Sequence, residues 1–132
     1  MIRPRVFLAD DHHEFLEAEI ALLKRHFEIV GTATDGISLV SEVQRLNPDV
    51  VVVDITMPVM NGIDAVHKLI ESGSTAKFVF LTIHAGKEFV KACLEQEGAR
   101  GYVWKSRMKG HLIQVIYAAL DDLQYISPLT SS

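Results

Sequence analysis

Short runs of consecutive apolar residues recur along the chain at Val6-Phe-Leu-Ala9, Ile29-Val30, Val50-Val-Val-Val53, Phe78-Val-Phe-Leu81 and Tyr102-Val-Trp104. Because neighbouring positions are apolar, not alternate ones, these runs predict strands buried on both faces, as in a parallel sheet covered by helices. The segments between them carry a helical period. Leu16, Ile20, Leu23 and Phe27 share one face of a first helix, Leu39, Val43 and Leu46 one face of a second, and Ile63, Val66 and Ile70 one face of a third. A fourth, over residues 86–97, shows Phe89, Ala92, Cys93 and Gln96 and is the least apolar; Leu112, Ile116, Ala119 and Leu123 line the last. Pro48 is placed to end the second helix, and Gly73 and Gly98 stand where a left-handed cap closes one. The alternation predicts a (βα)5 chain. With right-handed crossovers this becomes an α/β three-layer sandwich, a flavodoxin-like, doubly wound parallel sheet of strand order 2-1-3-4-5.

Composition narrows the class. With 132 residues, 48% of them apolar and 23% charged, the chain fits one globular domain, over residues 1–126, and Ser127-Pro-Leu-Thr-Ser-Ser132 reads as the start of a linker. The apolar runs fall far short of the roughly 20 residues that cross a bilayer, which predicts no membrane span. The start reaches Asp10 and Asp11 before any secretory apolar stretch develops, so the expected compartment is the cytoplasm. Cys93 is the single cysteine, which excludes a disulfide framework and a multi-cysteine zinc site. A net charge of −4 argues against nucleic-acid binding by this segment itself, since phosphate neutralisation needs a basic surface.

In open α/β sheets ligands bind at the carboxyl ends of the strands, where strand order reverses. The residues at those ends are Asp10-Asp11, Asp54, Thr82 and Lys105. Crowded carboxylates repel one another, and a bound cation relieves the repulsion. Oxygen donors without histidine or cysteine at their centre suit Mg2+ more than Zn2+. A carboxylate nucleophile, such an ion, a hydroxyl and a lysine can together hold a phosphoryl group. Each residue also has a plainer use: Asp10-Asp11 as a helix cap, Asp54 as a turn residue, Lys105 as a solvated charge. Their meeting at neighbouring strand ends favours the site.

Phe7-Leu-Ala-Asp-Asp11, Val51-Val-Val-Asp-Ile-Thr-Met-Pro-Val-Met-Asn-Gly62, Leu81-Thr82 and Gly101-Tyr-Val-Trp-Lys105 follow one another in the order found in response-regulator receiver domains, the CheY-like family of two-component signalling. The chain resembles that family over essentially its whole length. Leu81-Thr-Ile-His84, Lys105-Ser106 and Tyr125-Ile-Ser-Pro128 are most similar to the NarL/LuxR type, whose full-length members carry a C-terminal helix-turn-helix DNA-binding domain. Ser106 departs from the proline that many members place after the lysine.

The resemblance implies that Asp54 accepts a phosphoryl group from a sensor histidine kinase. It implies that Asp10, Asp11, Asp54 and the backbone carbonyl of Thr56 hold Mg2+ and that Lys105 pairs with phosphoryl oxygens. Thr82 becomes the switch hydroxyl and Tyr102 the switch aromatic, acting on the face formed by the fourth helix, fifth strand and fifth helix. Pro58 and Gly62 shape the loop behind Asp54. His84 and Thr56 stand at the rim, where they tune the lifetime of the phosphoryl group. Such a domain catalyses only its own phosphorylation and dephosphorylation. Phosphorylation-dependent homodimerisation is a further implication, and DNA contact would come only through an attached domain.

Trp104 has the parity of Tyr102 on a strand, so the two should share a face. His12 and His13 can edge the acidic cluster, whereas His26, His67 and His111 read as exposed helix residues and Cys93 as a packed one. A haloacid-dehalogenase-type hydrolase fits poorly, because its nucleophile follows the first strand and Thr56 stands where its second Asp belongs. No G-x-G-x-x-G follows the first strand to hold a dinucleotide. The alternative that remains is a phosphorylation-independent interaction module on the same fold.

Overall fold

The computed structural model describes residues 3–83 and 86–126. Among these the elements are β1 (Arg5–Ala9), α1 (His13–Leu23), β2 (Glu28–Ala33), α2 (Gly36–Leu46), β3 (Val50–Val53), α3 (Gly62–Glu71), β4 (Lys77–Thr82), α4 (Lys87–Leu94), β5 (Ala99–Trp104), α5 (Met108–Leu120) and β6 (Tyr125–Ile126). A 3-10 turn over Lys105–Arg107 joins β5 to α5. All pairings are parallel, in the order β2-β1-β3-β4-β5-β6. The predicted order 2-1-3-4-5 is present and gains a sixth strand.

The uninterrupted apolar strands place side chains on both faces of the sheet. Phe7, Ala9, Val51, Val53, Phe78, Phe80, Tyr102 and Trp104 face Leu39, Val43, Ala65, Leu69 and Cys93 of α2, α3 and α4. Val6, Leu8, Val50, Val52, Val79, Leu81 and Val103 face Leu16 and Leu23 of α1 and Leu112, Val115, Ile116 and Ala119 of α5. Burying one such side chain contributes about 1.5–3 kcal/mol, so these two layers dominate the stabilising side of the balance.

Local chemistry sets the helix ends. The Asp35 carboxylate accepts the Ser38 N–H at 2.7 Å to start α2, and Asn61 does the same for the Asp64 N–H at 2.8 Å to start α3. Asn47 closes α2 in the left-handed region ahead of Pro48, while Gly73 and Gly98 have φ of 93° and 126°.

The structure corrects several face assignments. In α1 the buried row is Leu16, Glu19 and Leu23, and Ile20 is only half-buried. Phe27 is buried but lies beyond the helix, as does the exposed His26. α4 ends at Leu94, buries only Cys93 and leaves Gln96 outside it, because its other face meets solvent. His111 is half-buried, and Leu123 is exposed beyond the end of α5.

The close of α5 explains both Leu123 and the added strand. Asp122 takes a φ of 62°, its N–H donates to Ala119 O, and the Leu123 N–H reaches back to Ala118 O. This paired pattern stops the helix and turns the chain. Lys77 and Arg100 each hold the Asp122 carboxylate at 2.7 Å, which directs the following residues along β5.

Candidate functional site

Parallel strands bring their carboxyl ends to one edge of the sheet. Asp10 follows β1, Asp54 follows β3, Thr82 ends β4 and Lys105 follows β5. The Lys105 Nζ lies 2.7 Å from Asp10 Oδ2 and 3.2 Å from Asp54 Oδ2, and 4.3 Å above the Phe15 ring. Asp10, Asp54 and the Lys105 side chain are all nearly out of contact with water. Their attraction is therefore less screened than that of a surface pair.

Burial pushes the Asp54 carboxyl above its usual range, against the pull of Lys105, with Asp10 adding to the rise. Burial disfavours the Lys105 ammonium too, but the Asp10 and Asp54 carboxylates outweigh it and hold Lys105 above its usual range. One cation is thus shared by two buried anions.

The acidic pair does not cap α1. His12 is the cap position and makes no side-chain capping bond; its N–H donates to Asp10 Oδ1 at 2.9 Å. Asp10, Asp11, His12 and Asp54 each offer a donor atom within 4.8 Å of the others, a grouping able to hold a metal ion. Three of these donors are carboxylate oxygens, which fit a hard divalent ion. The largely exposed His12 ring edges the group, its Nδ1 3.1 Å from Asp11 Oδ1. His13 instead faces Glu17 along the helix surface.

Behind Asp54 the chain folds tightly. A Cβ on Gly62 would sit 2.0 Å from the Asp54 carbonyl oxygen, and the Gly62 N–H donates to Ile55 O at 2.7 Å. Only glycine lets α3 begin so close to the loop. The left-handed position in this loop is Val59, with φ of 71°, at an 82% exposed site. A β-branched residue is poorly suited there, at a cost of about 1–2 kcal/mol. Val59→Gly should therefore raise the unfolding free energy by about 1 kcal/mol after glycine's greater freedom in the unfolded chain is counted. Urea unfolding checks this, and an unchanged or lower midpoint would contradict the strain.

Thr82 is fully buried at the end of β4, in register with Trp104. Tyr102 is fully buried as well, and its ring meets Trp104 edge-on at 5.1 Å, as their shared parity requires. The exposed Thr56 directs its N–H to Asp54 Oδ1 at 3.4 Å. His84 lies outside the described residues.

One residue of this neighbourhood escaped the sequence reading. Glu19 on α1 is 1% exposed, and neither carboxyl oxygen has a hydrogen-bond partner. Burial first, then the nearby Asp10, push its carboxyl up to about 9 despite Lys105. The available signal was its spacing, three residues after Leu16 and four before Leu23, on the row that meets the sheet.

A doubly wound sheet carrying three carboxylates and a lysine at its switch point has the arrangement of a signalling receiver. The pattern of the response regulator receiver domain matches residues 6–117, and the chain belongs to that family, the receivers of two-component response regulators. It is 33% identical over 126 residues to the transcriptional regulatory protein DegU of Brevibacillus brevis, covering 94% of this chain and 53% of that protein. It is also 33% identical over 120 residues to the chemotaxis protein CheY of Treponema pallidum, covering 88% of this chain and 82% of that one. The crystal structure of a LuxR-family two-component response regulator from Aurantimonas sp. SI85-9A1 matches with a TM-score of 0.89 at 32% identity, covering 96% of this chain and 91% of that chain. The NarL/LuxR resemblance read from the motifs agrees with the LuxR-family structure. The chain spans about half the length of the DegU relative. Among the described residues no helix is long and apolar enough to cross a membrane.

Proposed function

We propose that Asp54 takes a phosphoryl group from the phosphohistidine of a sensor kinase. The observation that carries this reading is Lys105 held 2.7 Å from Asp10 and 3.2 Å from Asp54, beside a group of carboxylates whose donor atoms lie close enough together to hold a metal ion. An Asp54 oxygen attacks phosphorus, the P–N bond breaks, and the imidazole leaves with the bonding electrons. Later attack by water returns the carboxylate and releases inorganic phosphate. Asp10, Asp11, Asp54 and the Thr56 carbonyl would hold Mg2+, which when bound supplies positive charge to phosphoryl oxygens.

Phosphorylation replaces one carboxylate charge with a group of higher charge and three strong acceptor oxygens. Lys105 turns from the carboxylates to those oxygens, and the Thr82 hydroxyl donates to another. The Thr82 bond is a new charge-assisted contact, at about 1.5–3 kcal/mol, whereas the Lys105 bond replaces those it already makes to Asp10 and Asp54. Moving a switch from about 1:99 to 99:1 takes about 5.5 kcal/mol, so the rest must come from the higher charge that Lys105 and the bound ion then face. Thr82 then makes room for Tyr102, and the face of α4, β5 and α5 carries the change outward. Residues 1–126 form the receiver and 127–132, which lie outside the described residues, begin a linker to a DNA-binding domain. The output is control of transcription, with phosphorylation favouring a homodimer.

Incubation with acetyl phosphate and Mg2+ should add one phosphoryl mass to the wild type and none to Asp54→Asn, with the gain lost at alkaline pH. Followed over time, loss of that mass in Thr56→Ala and His84→Ala tests whether the rim sets its lifetime. An intact fold that takes no phosphoryl group from acetyl phosphate or a kinase would leave the phosphorylation-independent interaction module as the better reading.

A further inference from the structure

The residues after α5 do not leave the domain directly. Leu123 is turned back by the close of α5, and Asp122 is clamped between Lys77 and Arg100. The Gln124 amide donates to Leu94 O at 3.4 Å and Ala99 O at 3.2 Å, tying the end of α4 to the start of β5. Tyr125 and Ile126 then pair with Gly101 and Tyr102 along the outer edge of β5.

The partner of Ile126 is therefore Tyr102. Paired residues on neighbouring strands project to the same face, so Ile126 stands beside the Tyr102 ring on the α4 side of the sheet. Within that layer Phe80, Trp104 and Cys93 belong to the same packed cluster as the ring. Ile126, 45% exposed on the outer edge of β5, lies beside Tyr102 and outside this cluster. A Tyr102 ring turned outward would meet Ile126, whereas the buried ring leaves the strand pairing intact.

We propose that residues 122–126 form a latch that closes on β5 only when Tyr102 is turned inward, so that phosphorylation of Asp54 and docking of this segment reinforce one another. The proposal rests on the switch reading above and adds its regulation: the segment leading out of the domain takes part in the equilibrium. Because coupling between two sites is reciprocal, loosening the latch must weaken binding of a phosphoryl mimic by the factor with which the mimic tightens the latch.

The test uses the whole chain with beryllofluoride and Mg2+ as the probe. Hydrogen exchange over residues 122–126 should slow at least about fivefold when wild type is saturated, the lower end of typical coupling. Gln124→Ala/Ile126→Ser, checked for an intact fold by circular dichroism, should bind beryllofluoride at least about fivefold more weakly by calorimetry. Unchanged exchange in saturated wild type, or equal affinity in a folded variant, overturns the latch while leaving the phosphoacceptor reading standing. Should the variant fail to fold, the wild-type exchange decides alone. Absence of any beryllofluoride binding by wild type, together with no phosphoryl mass on Asp54, overturns both.

Discussion

Lys105→Met should unfold at clearly lower urea than the wild type in metal-free buffer, with a loss of about 3–5 kcal/mol. Methionine keeps an apolar stem against Phe15 and removes only the charge that Asp10 and Asp54 share at 2.7 and 3.2 Å. Two buried carboxylates would then face each other uncompensated, and the penalty is that of stranded charge, more than that of a lost bond. The converse substitution should behave differently. Asp54→Asn removes one of two anions competing for a single ammonium and leaves the shorter Asp10 pair in place, so metal-free stability should hold or rise. Added Mg2+ should also stabilise Lys105→Met more than wild type, because cation binding to the native state raises its stability by mass action and the freed carboxylates bind it better. Equal midpoints for Lys105→Met and wild type would sink this account of the cluster.

Most of this cluster was legible in the sequence because receiver chemistry sits at strand ends, and the strands announce themselves. Four consecutive valines before Asp54 and the apolar run before Asp10 leave little choice of element, and parallel order then brings both carboxylates to one edge. What was not legible depended on rotation and on the far end of α5. Hydrophobicity alone puts Ile20 on the inner face of α1, yet the helix is turned so that Glu19 enters the core. The left-handed position in the loop after Asp54 fell on Val59, a residue whose own preference argues against it. β6 arises from Asp122 held by Lys77 and Arg100, which are distant in sequence, so a two-residue strand had no local pattern to reveal it. For β6 it was this long-range contact, and no local pattern, that set the structure.

Glu19→Leu should stabilise the protein by about 3 kcal/mol at pH 7 and flatten its pH dependence. The wild-type carboxyl is pushed up to about 9 in the folded chain, by burial first and Asp10 next, against an ordinary 4.5. Between those values the native state keeps a proton that the unfolded state has released. The unfolded chain therefore binds fewer protons, and stability falls as pH rises through this window, by up to about 1.4 kcal/mol per pH unit from this group. Below about 4.5 both states are protonated and the penalty vanishes. Asp54, also raised chiefly by burial, acts in the same sense, so the variant removes only the Glu19 share of the slope. Glu19→Gln separates charge from polarity: it should flatten the dependence equally, yet gain less stability than leucine because a buried amide still lacks partners. Urea unfolding of the three proteins at pH 5, 7 and 8.5 in chelator-treated buffer provides the comparison. Parallel pH profiles for wild type and Glu19→Leu would show that Glu19 is not held protonated by the fold, and the link between its burial and its proton would fail.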